Sequence, residues 1–363
     1  MKLGDEINGY RIISEPTNAG GGKCMWAFAE RDGQEYFLKR FLDPKRPKRS
    51  DKPPSHSARL RIQACEEFEE RHRHIMSALE PDQAGGGNLV VARDFFCDKS
   101  TYYKVTERID TTNLESPHTL PAREKAILLK TLGQSLRLLH DIGIVHGDLK
   151  PDNVLVQKPT VFHTAKLIDF DDAHIDGSPP HHEEIAGDAL YGSPEWQRYI
   201  RGEPGTGPEL LTTASDIFAL GLLTHLYLTG SLPTHPEGHN CPADAVNSGD
   251  ELVFDPRLAQ GMRILISRMC AVMPGERPGI GVFLKAVTPQ MCELGEPESI
   301  PDTAKGTPPT EARPAEADTT DGRSRVRTNI AGVSAGTSGT GKADKPKGGS
   351  VDGRRSRVRI NWS

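Results

Sequence analysis

The sequence predicts an α+β fold of two unequal lobes, strands first and helices after, followed by a tail that does not pack. Three observations predict it. Up to about residue 109, short apolar runs alternate or cluster between Gly-rich breaks, as strands do. From there to about 295, apolar residues recur at helical spacing. Residues 296–363 hold eight Val, Ile and Trp and no Leu, Met, Phe or Tyr, too little apolar surface to offset the entropy of ordering. The expected divisions are 1–109, 110–295 and a disordered tail, 296–363.

The elements follow in order. Tyr10–Ile13, Met25–Glu30 and Gln34–Phe41 read as strands. The basic, Pro-rich stretch Pro44–Pro54 reads as a solvated loop. Arg59–Glu80 has helical periodicity, with Ile62, Cys65, Phe68, Ile75, Met76 and Leu79 on one face. Leu89–Phe96 and Thr101–Arg108 are two more strands. Pro121–Asp141, Thr213–Leu228 and Arg257–Val272 are helices. The longest apolar stretch, Ile217–Gly230, carries His225 and is too short to span a bilayer, so it reads as a buried helix.

Composition narrows the class. The chain has 363 residues and a formal net charge of −5, which argues against a nucleic-acid coat. The tail alone is net +3, so a nucleic-acid partner is expected only through it, and the remainder is net −8. Six cysteines, Cys24, Cys65, Cys97, Cys241, Cys270 and Cys292, form no Cys-x-x-Cys pair, which fits a reducing compartment. The opening MKLGDEINGYRII has no apolar leader core, so a soluble, cytoplasmic protein without a membrane partner is expected. The tail repeats RSRVR at Arg323–Arg327 and Arg355–Arg359, two copies of a short linear motif.

Three segments carry chemistry: VHGDLKPDNVL at Val145–Leu155, KLIDFDDAHI at Lys166–Ile175, and GDALYGSPEW at Gly187–Trp196. In this order they resemble the Hanks-type protein kinase family, and its bacterial Ser/Thr members in particular. The catalytic-loop pattern His-Arg-Asp-x-Lys-x-x-x-Asn stands as His146 to Asn153, Asp-Phe-Gly as Asp169-Phe170-Asp171, and Ala-Pro-Glu as Ser193-Pro194-Glu195. The resemblance covers residues 5–290. It implies a bilobal fold, with an antiparallel β-sheet N-lobe, a mainly helical C-lobe and the active site between them. It also implies transfer of the γ-phosphoryl group of ATP to protein Ser/Thr hydroxyls, in bacterial signalling or defence.

Phosphoryl transfer needs positioning and charge neutralisation more than covalent chemistry. On the resemblance, Asp148 accepts the substrate hydroxyl proton, Lys150 stands beside the transferring group, and Asn153 and Asp169 offer hard oxygen ligands to Mg²⁺. Lys39, in YFLKRF, holds the place of the lysine that reaches the α- and β-phosphates. Its partner is expected on the following helix: Glu69, within about 60° of the centre of the apolar stripe, with Glu70 as second choice. Gly20, Gly21 and Gly22 would bring backbone N–H groups to the phosphates. Thr106 would close the back of the adenine pocket, and Glu107 and Ile109 would bond its edge. Asp216 resembles the helix aspartate that braces the catalytic loop, and Glu195 with Arg277 a buried structural pair.

Departures matter as much. Gly147 replaces the arginine that receives an activation-loop phosphate, and Asp169–Glu195 contains no Thr. Competence without loop phosphorylation is therefore expected. Asp171 replaces glycine and adds charge near the metals. Asp188 replaces a threonine and could pair with Lys150, so the Ser/Thr assignment rests on DLKPDN. A pseudokinase scaffold is the first rival, opposed by Lys39, Asp148, Asn153 and Asp169. A small-molecule kinase of the same fold is the second, opposed by Ser193–Glu195 and Arg277. His235, His239 and Cys241 have metal-like spacing but no obvious fourth ligand, and read as a surface loop. Ser324 and Ser356, each between arginines, are candidate autophosphorylation sites for an acidic cleft.

Overall fold

The computed structural model describes residues 1–296, apart from 20–23, 49–52, 80–88, 112, 113, 115 and 160. The expected tail therefore lies outside the described residues beyond Glu296, and so do Ser324 and Ser356. The fold is bilobal α+β. Six antiparallel strands open the chain: β1 (Glu6–Ile7), β2 (Tyr10–Ile12), β3 (Cys24–Arg31), β4 (Gln34–Phe41), β5 (Ala92–Asp98) and β6 (Thr101–Glu107), in the order β1-β2-β3-β4-β6-β5. The β3–β4 hairpin closes on Asp32-Gly33, both at positive φ (55° and 77°). That geometry matches the right-handed twist of the flanking strands and selects Asp-Gly. One face of the sheet packs Ile12, Ala27, Ala29, Leu38 and Val105 together.

The other face meets α1 (His56–Ala78), capped by the Ser55 hydroxyl accepting from the Ala58 N–H. Cys65 of α1 packs with Cys24, Phe41 and Tyr102, flanked by Phe68 and Phe95. The buried stripe of α1 is not purely apolar, because Glu69 and His72 lie in it beside Cys65 and Ile75. The strand expected at Leu89–Phe96 begins later. Leu89 bridges Leu167 and Val90 N–H bonds Leu167 C=O at 3.0 Å, so this stretch ties the sheet to the large lobe.

The large lobe comprises α2 (Ala122–Asp141), β7 (Ile144–Val145), β8 (Val154–Gln157), β9 (Thr164–Leu167), β10 (His174–Ile175), α3 (Pro194–Ile200), α4 (Thr213–Thr229), α5 (Pro242–Asn247), α6 (Gln260–Met269) and α7 (Ile280–Ala286). Its core joins Leu129, Leu132 and Leu136 of α2 to Phe218, Leu222 and Leu223 of α4. Each such side chain contributes about 1.5–3 kcal/mol on burial. α4 is buried nearly all round, which is why its sequence is mostly apolar from Ile217 to Leu228, with Thr224 and His225 the exceptions. Its imidazole, His225, is held by Ser231 C=O (2.7 Å) and Asp255 N–H (3.0 Å). The helix expected at Arg257–Val272 is shorter, because Arg257 folds back onto Asp255 ahead of α6.

Candidate active site

Residues 146–153 connect β7 to β8 and are held from below by α4. Asp216 accepts from the N–H groups of His146 (2.8 Å) and Gly147 (3.1 Å) and lies 3.0 Å from His140 Nε2. Burial pushes its carboxyl up, but His140 and His146 outweigh burial and the net shift is down. Gly147 has φ 78°, and a Cβ there would lie 2.6 Å from the Asp172 carbonyl oxygen. A side chain is excluded by backbone approach, so the missing arginine is a consequence of how 169–174 runs past this loop. Beyond it, Asp148 Oδ2 accepts from Asn153 Nδ2 (2.9 Å) and pairs with Lys150 Nζ (2.8 Å). Asn153 Nδ2 also bonds the Asp148 carbonyl at 2.7 Å. Asp148 Oδ1 is buried with no hydrogen-bond partner among the described residues. Lys150 reaches Asp188 at 3.8 Å. Burial lowers the Lys150 ammonium pKa, but the bond to Asp148 and the charge of Asp188 leave it raised.

The roof of the cleft is the sheet. Lys39 Nζ bonds Asp169 Oδ1 (2.9 Å) and Oδ2 (2.7 Å) and lies 2.5 Å from Asp171 Oδ2. Burial pushes the Lys39 ammonium down, Asp171 and Asp169 push it up, and the carboxylates win. Asp169 sits at φ 62°, a left-handed conformation that costs a non-glycine residue and clusters at functional sites. Lys104 of β6 pairs with Asp171 Oδ1 and lies 3.5 Å from Asp169. Burial pushes the Asp171 carboxyl up, but Lys104 and Lys39 hold it well below the usual range.

The expectation for Glu69 is corrected. It does not pair with Lys39: its carboxylate accepts from Tyr102 OH (2.6 Å) and Arg73 (2.6 Å) and pairs with Arg46. Arg46 comes from the basic stretch expected to be solvated. The α1 residue that reaches the Asp171 cluster is His72, with Nε2 3.6 Å from Asp171 Oδ1. Burial lowers the His72 pKa, and Asp171 only partly offsets this. Its second choice, Glu70, is exposed.

At the lobe junction Thr106 and Glu107 end β6, opposite Phe37 and Tyr36 of β4, with Ile109 half-buried just beyond. The glycine-loop residues Gly20, Gly21 and Gly22 lie outside the described residues. Glu195 and Arg277 form a fully buried bidentate pair at 2.7 and 2.6 Å, with Ser215 also donating to Glu195. His239 bonds Asp250 at 2.6 Å and Cys241 is buried against Gln197. Sequence reasoning missed Lys104 and His72. The signal was present: a lysine inside the otherwise apolar core of YYKVTE, and an aspartate in place of a glycine in DFD, each the other's counter-ion.

Comparison with known proteins bears on the whole arrangement. The protein kinase domain matches residues 22–287. The chain is 33% identical over 118 residues to the serine/threonine-protein kinase pkn2 of Myxococcus xanthus (32% of this chain, 14% of that protein). It is 32% identical over 155 residues to the ovarian-specific serine/threonine-protein kinase Lok of Drosophila melanogaster (42% and 31%). It is 24% identical over 225 residues to MAP kinase-activated protein kinase 2 of Mus musculus (62% and 52%). These alignments cover from 14% to 52% of the relatives' own lengths. With the three motif segments gathered in one cleft and the domain match spanning both lobes, the chain belongs to the protein kinase domain family.

Proposed function

We propose that this chain transfers the γ-phosphoryl group of ATP to serine or threonine hydroxyls of a protein. The observation that carries the reading is the condition of Asp148. One carboxylate oxygen is held by Asn153 and Lys150, and the other has no partner among the described residues. A buried acceptor left open in this way is ready to take a hydroxyl proton. Lys150, between Asp148 and Asp188, supplies positive charge beside the transferring group. Lys39 grips the α- and β-phosphates, Gly20–Gly22 cover them, and Thr106, Glu107 and Ile109 line the adenine.

The donor set fits Mg²⁺. Asn153 spends its amide nitrogen on Asp148, which leaves its carbonyl oxygen as a ligand, and Asp169 offers a carboxylate. Asn153 and Asp169 would hold the ion, which would supply positive charge against the phosphates. DLKPDN and the similarity to proteins named serine/threonine kinases support the Ser/Thr assignment. The Glu195–Arg277 pair, anchoring the segment before α3, supports a protein substrate. A role in bacterial signalling is proposed on the resemblance of the motifs to bacterial kinases, and one of the similar proteins is a serine/threonine kinase of Myxococcus xanthus. No helix among the described residues is long and apolar enough to cross a membrane. Six cysteines without a Cys-x-x-Cys pair support a reducing, cytoplasmic compartment. Ser324 and Ser356 remain the proposed autophosphorylation sites, on the charge contrast between the tail and the rest. Gly147 and the absence of Thr from Asp169–Glu195 support activity without a loop phosphate.

The test is incubation of the full chain with γ-labelled ATP and Mg²⁺ and matched Ser, Thr and Tyr peptides. Label on Ser or Thr, lost on adding a chelator, is the expected result. Label on Tyr alone, or none on any peptide or on the chain itself, overturns the reading.

A further inference from the structure

Lys39 and Lys104 stand directly opposite each other across the β4–β6 ladder, and both are buried, at 8% and 7% exposure. Like charges so placed repel, and an ammonium out of water needs a paired anion. Two carboxylates from one short segment meet them. Asp169 takes Lys39 with both oxygens. Asp171 divides its own: Oδ2 forms an ion pair with Lys39 at 2.5 Å without hydrogen-bond geometry, while Oδ1 pairs with Lys104 and lies 3.6 Å from His72 Nε2. On α1 the other nearby carboxylates, Glu66, Glu67 and Glu70, are exposed, and Glu69 is saturated by Arg46, Arg73 and Tyr102.

We propose that Asp171 is the positioning residue for Lys39, standing in for a helix glutamate, and that Lys104 orients Asp171. The proposal rests on the phosphoryl-transfer reading above. It has a mechanical consequence. Lys39 and its anion belong to the sheet and to segment 169–171, and among the described residues α1 touches them only through His72, 3.6 Å from Asp171. A displacement of α1 then leaves the Lys39–Asp171 pair intact. Asp171 also relieves Asp169: without it, two lysines would compete for the carboxylate assigned to the metal.

A bystander role is the alternative, in which Asp171 merely neutralises Lys104. The two separate in a double variant of the full chain. Asp171→Asn leaves buried Lys104 with only Asp169, 3.5 Å away and already bonded by Lys39, so Tm falls and KM for ATP rises about ten- to a hundredfold. Adding Lys104→Met removes the stranded charge and restores Tm, but Lys39 still lacks its anchor, so KM stays raised. Should KM return to the wild-type value with Tm, the anchor role is wrong. If Asp171→Asn alone fails to fold, the double variant carries the comparison. Glu69→Gln is expected to raise KM for ATP less than Asp171→Asn does, and an equal or larger rise also overturns the proposal. Lys39→Met is the control for the underlying reading. If it leaves transfer intact, the phosphoryl-transfer assignment of Lys39 fails. If it abolishes transfer while the double variant keeps wild-type KM, only the anchor fails.

Discussion

The floor and the roof of the cleft solve the same problem, holding charged groups out of water, by different means. On the floor, Asp148, Lys150 and Asn153 come from six consecutive residues, and their bonds run within that loop, braced by Asp216. On the roof, Lys39, Lys104, His72 and Asp171 come from four separate elements brought together by strand register and helix packing. A third buried pair, Glu195 with Arg277, is fully enclosed, and its carboxylate is satisfied by Ser215 as well. The difference teaches where substitution is tolerated. A contiguous loop carries its geometry with it, whereas the roof depends on matched residues far apart in sequence, so a change at one demands a change at another.

The largest effect separates the two sides directly. Asp148→Asn should lower kcat about 10²–10⁴-fold while leaving the Kd for ATP unchanged, because on the proposed reading Asp148 acts on the substrate hydroxyl and not on the nucleotide. Asp169→Asn, on the roof, should instead remove Mg²⁺-dependent nucleotide binding. Nucleotide-induced shifts in Tm beside single-turnover rates distinguish them, and equal loss of binding in both variants would break the comparison.

A smaller effect probes the backbone where floor and roof meet. Gly147→Ala forces a left-handed alanine whose Cβ lies 2.6 Å from the Asp172 carbonyl. It should cost about 2–4 kcal/mol in urea unfolding. A loss below about 1 kcal/mol would show that segment 169–174 yields easily.

The smallest effect is a pH dependence. Asp172 lies between the carboxylates of both sides, and burial, then Asp148, Asp171 and Asp169, push its carboxyl up to about 6. The folded chain holds this proton more tightly than the unfolded one, whose aspartate titrates near about 3.9. The associated stability is fully present below about pH 4 and is lost as pH rises through about 6. Asp172→Asn stays neutral. Without nucleotide or metal it should match the wild type at pH 4 and exceed it by about 1–3 kcal/mol at pH 8. A difference independent of pH would remove Asp172 from the boundary between the two sides.

Much of this was legible in the chain. The strands at Met25–Glu30 and Gln34–Phe41, the apolar run of α4 and the contiguous motif HGDLKPDN follow from local rules: strand patterning, burial, and chemistry confined to one loop. Helix periodicity found the packed face of α1 at Cys65 and Ile75 but not Glu69 and His72 within it, because a stripe drawn from apolar residues passes over polar groups whose partners lie on other elements. The apolarity of Leu89 predicts a strand there, and only the fold shows it bridging to β9.

What the sequence determined by itself, then, is the two-lobed α+β architecture, the order of its elements and the run of residues from His146 to Asn153, since each depends on neighbours a few positions apart. The tertiary structure alone decided the partner of Lys39. That choice turns on β4–β6 register, which sets Lys39 against Lys104, and on the path of 169–171, which delivers two carboxylates to them. Electrostatic energy in a buried cluster depends on distances of a few ångströms between residues far apart in sequence, and no spacing along the chain encodes those distances.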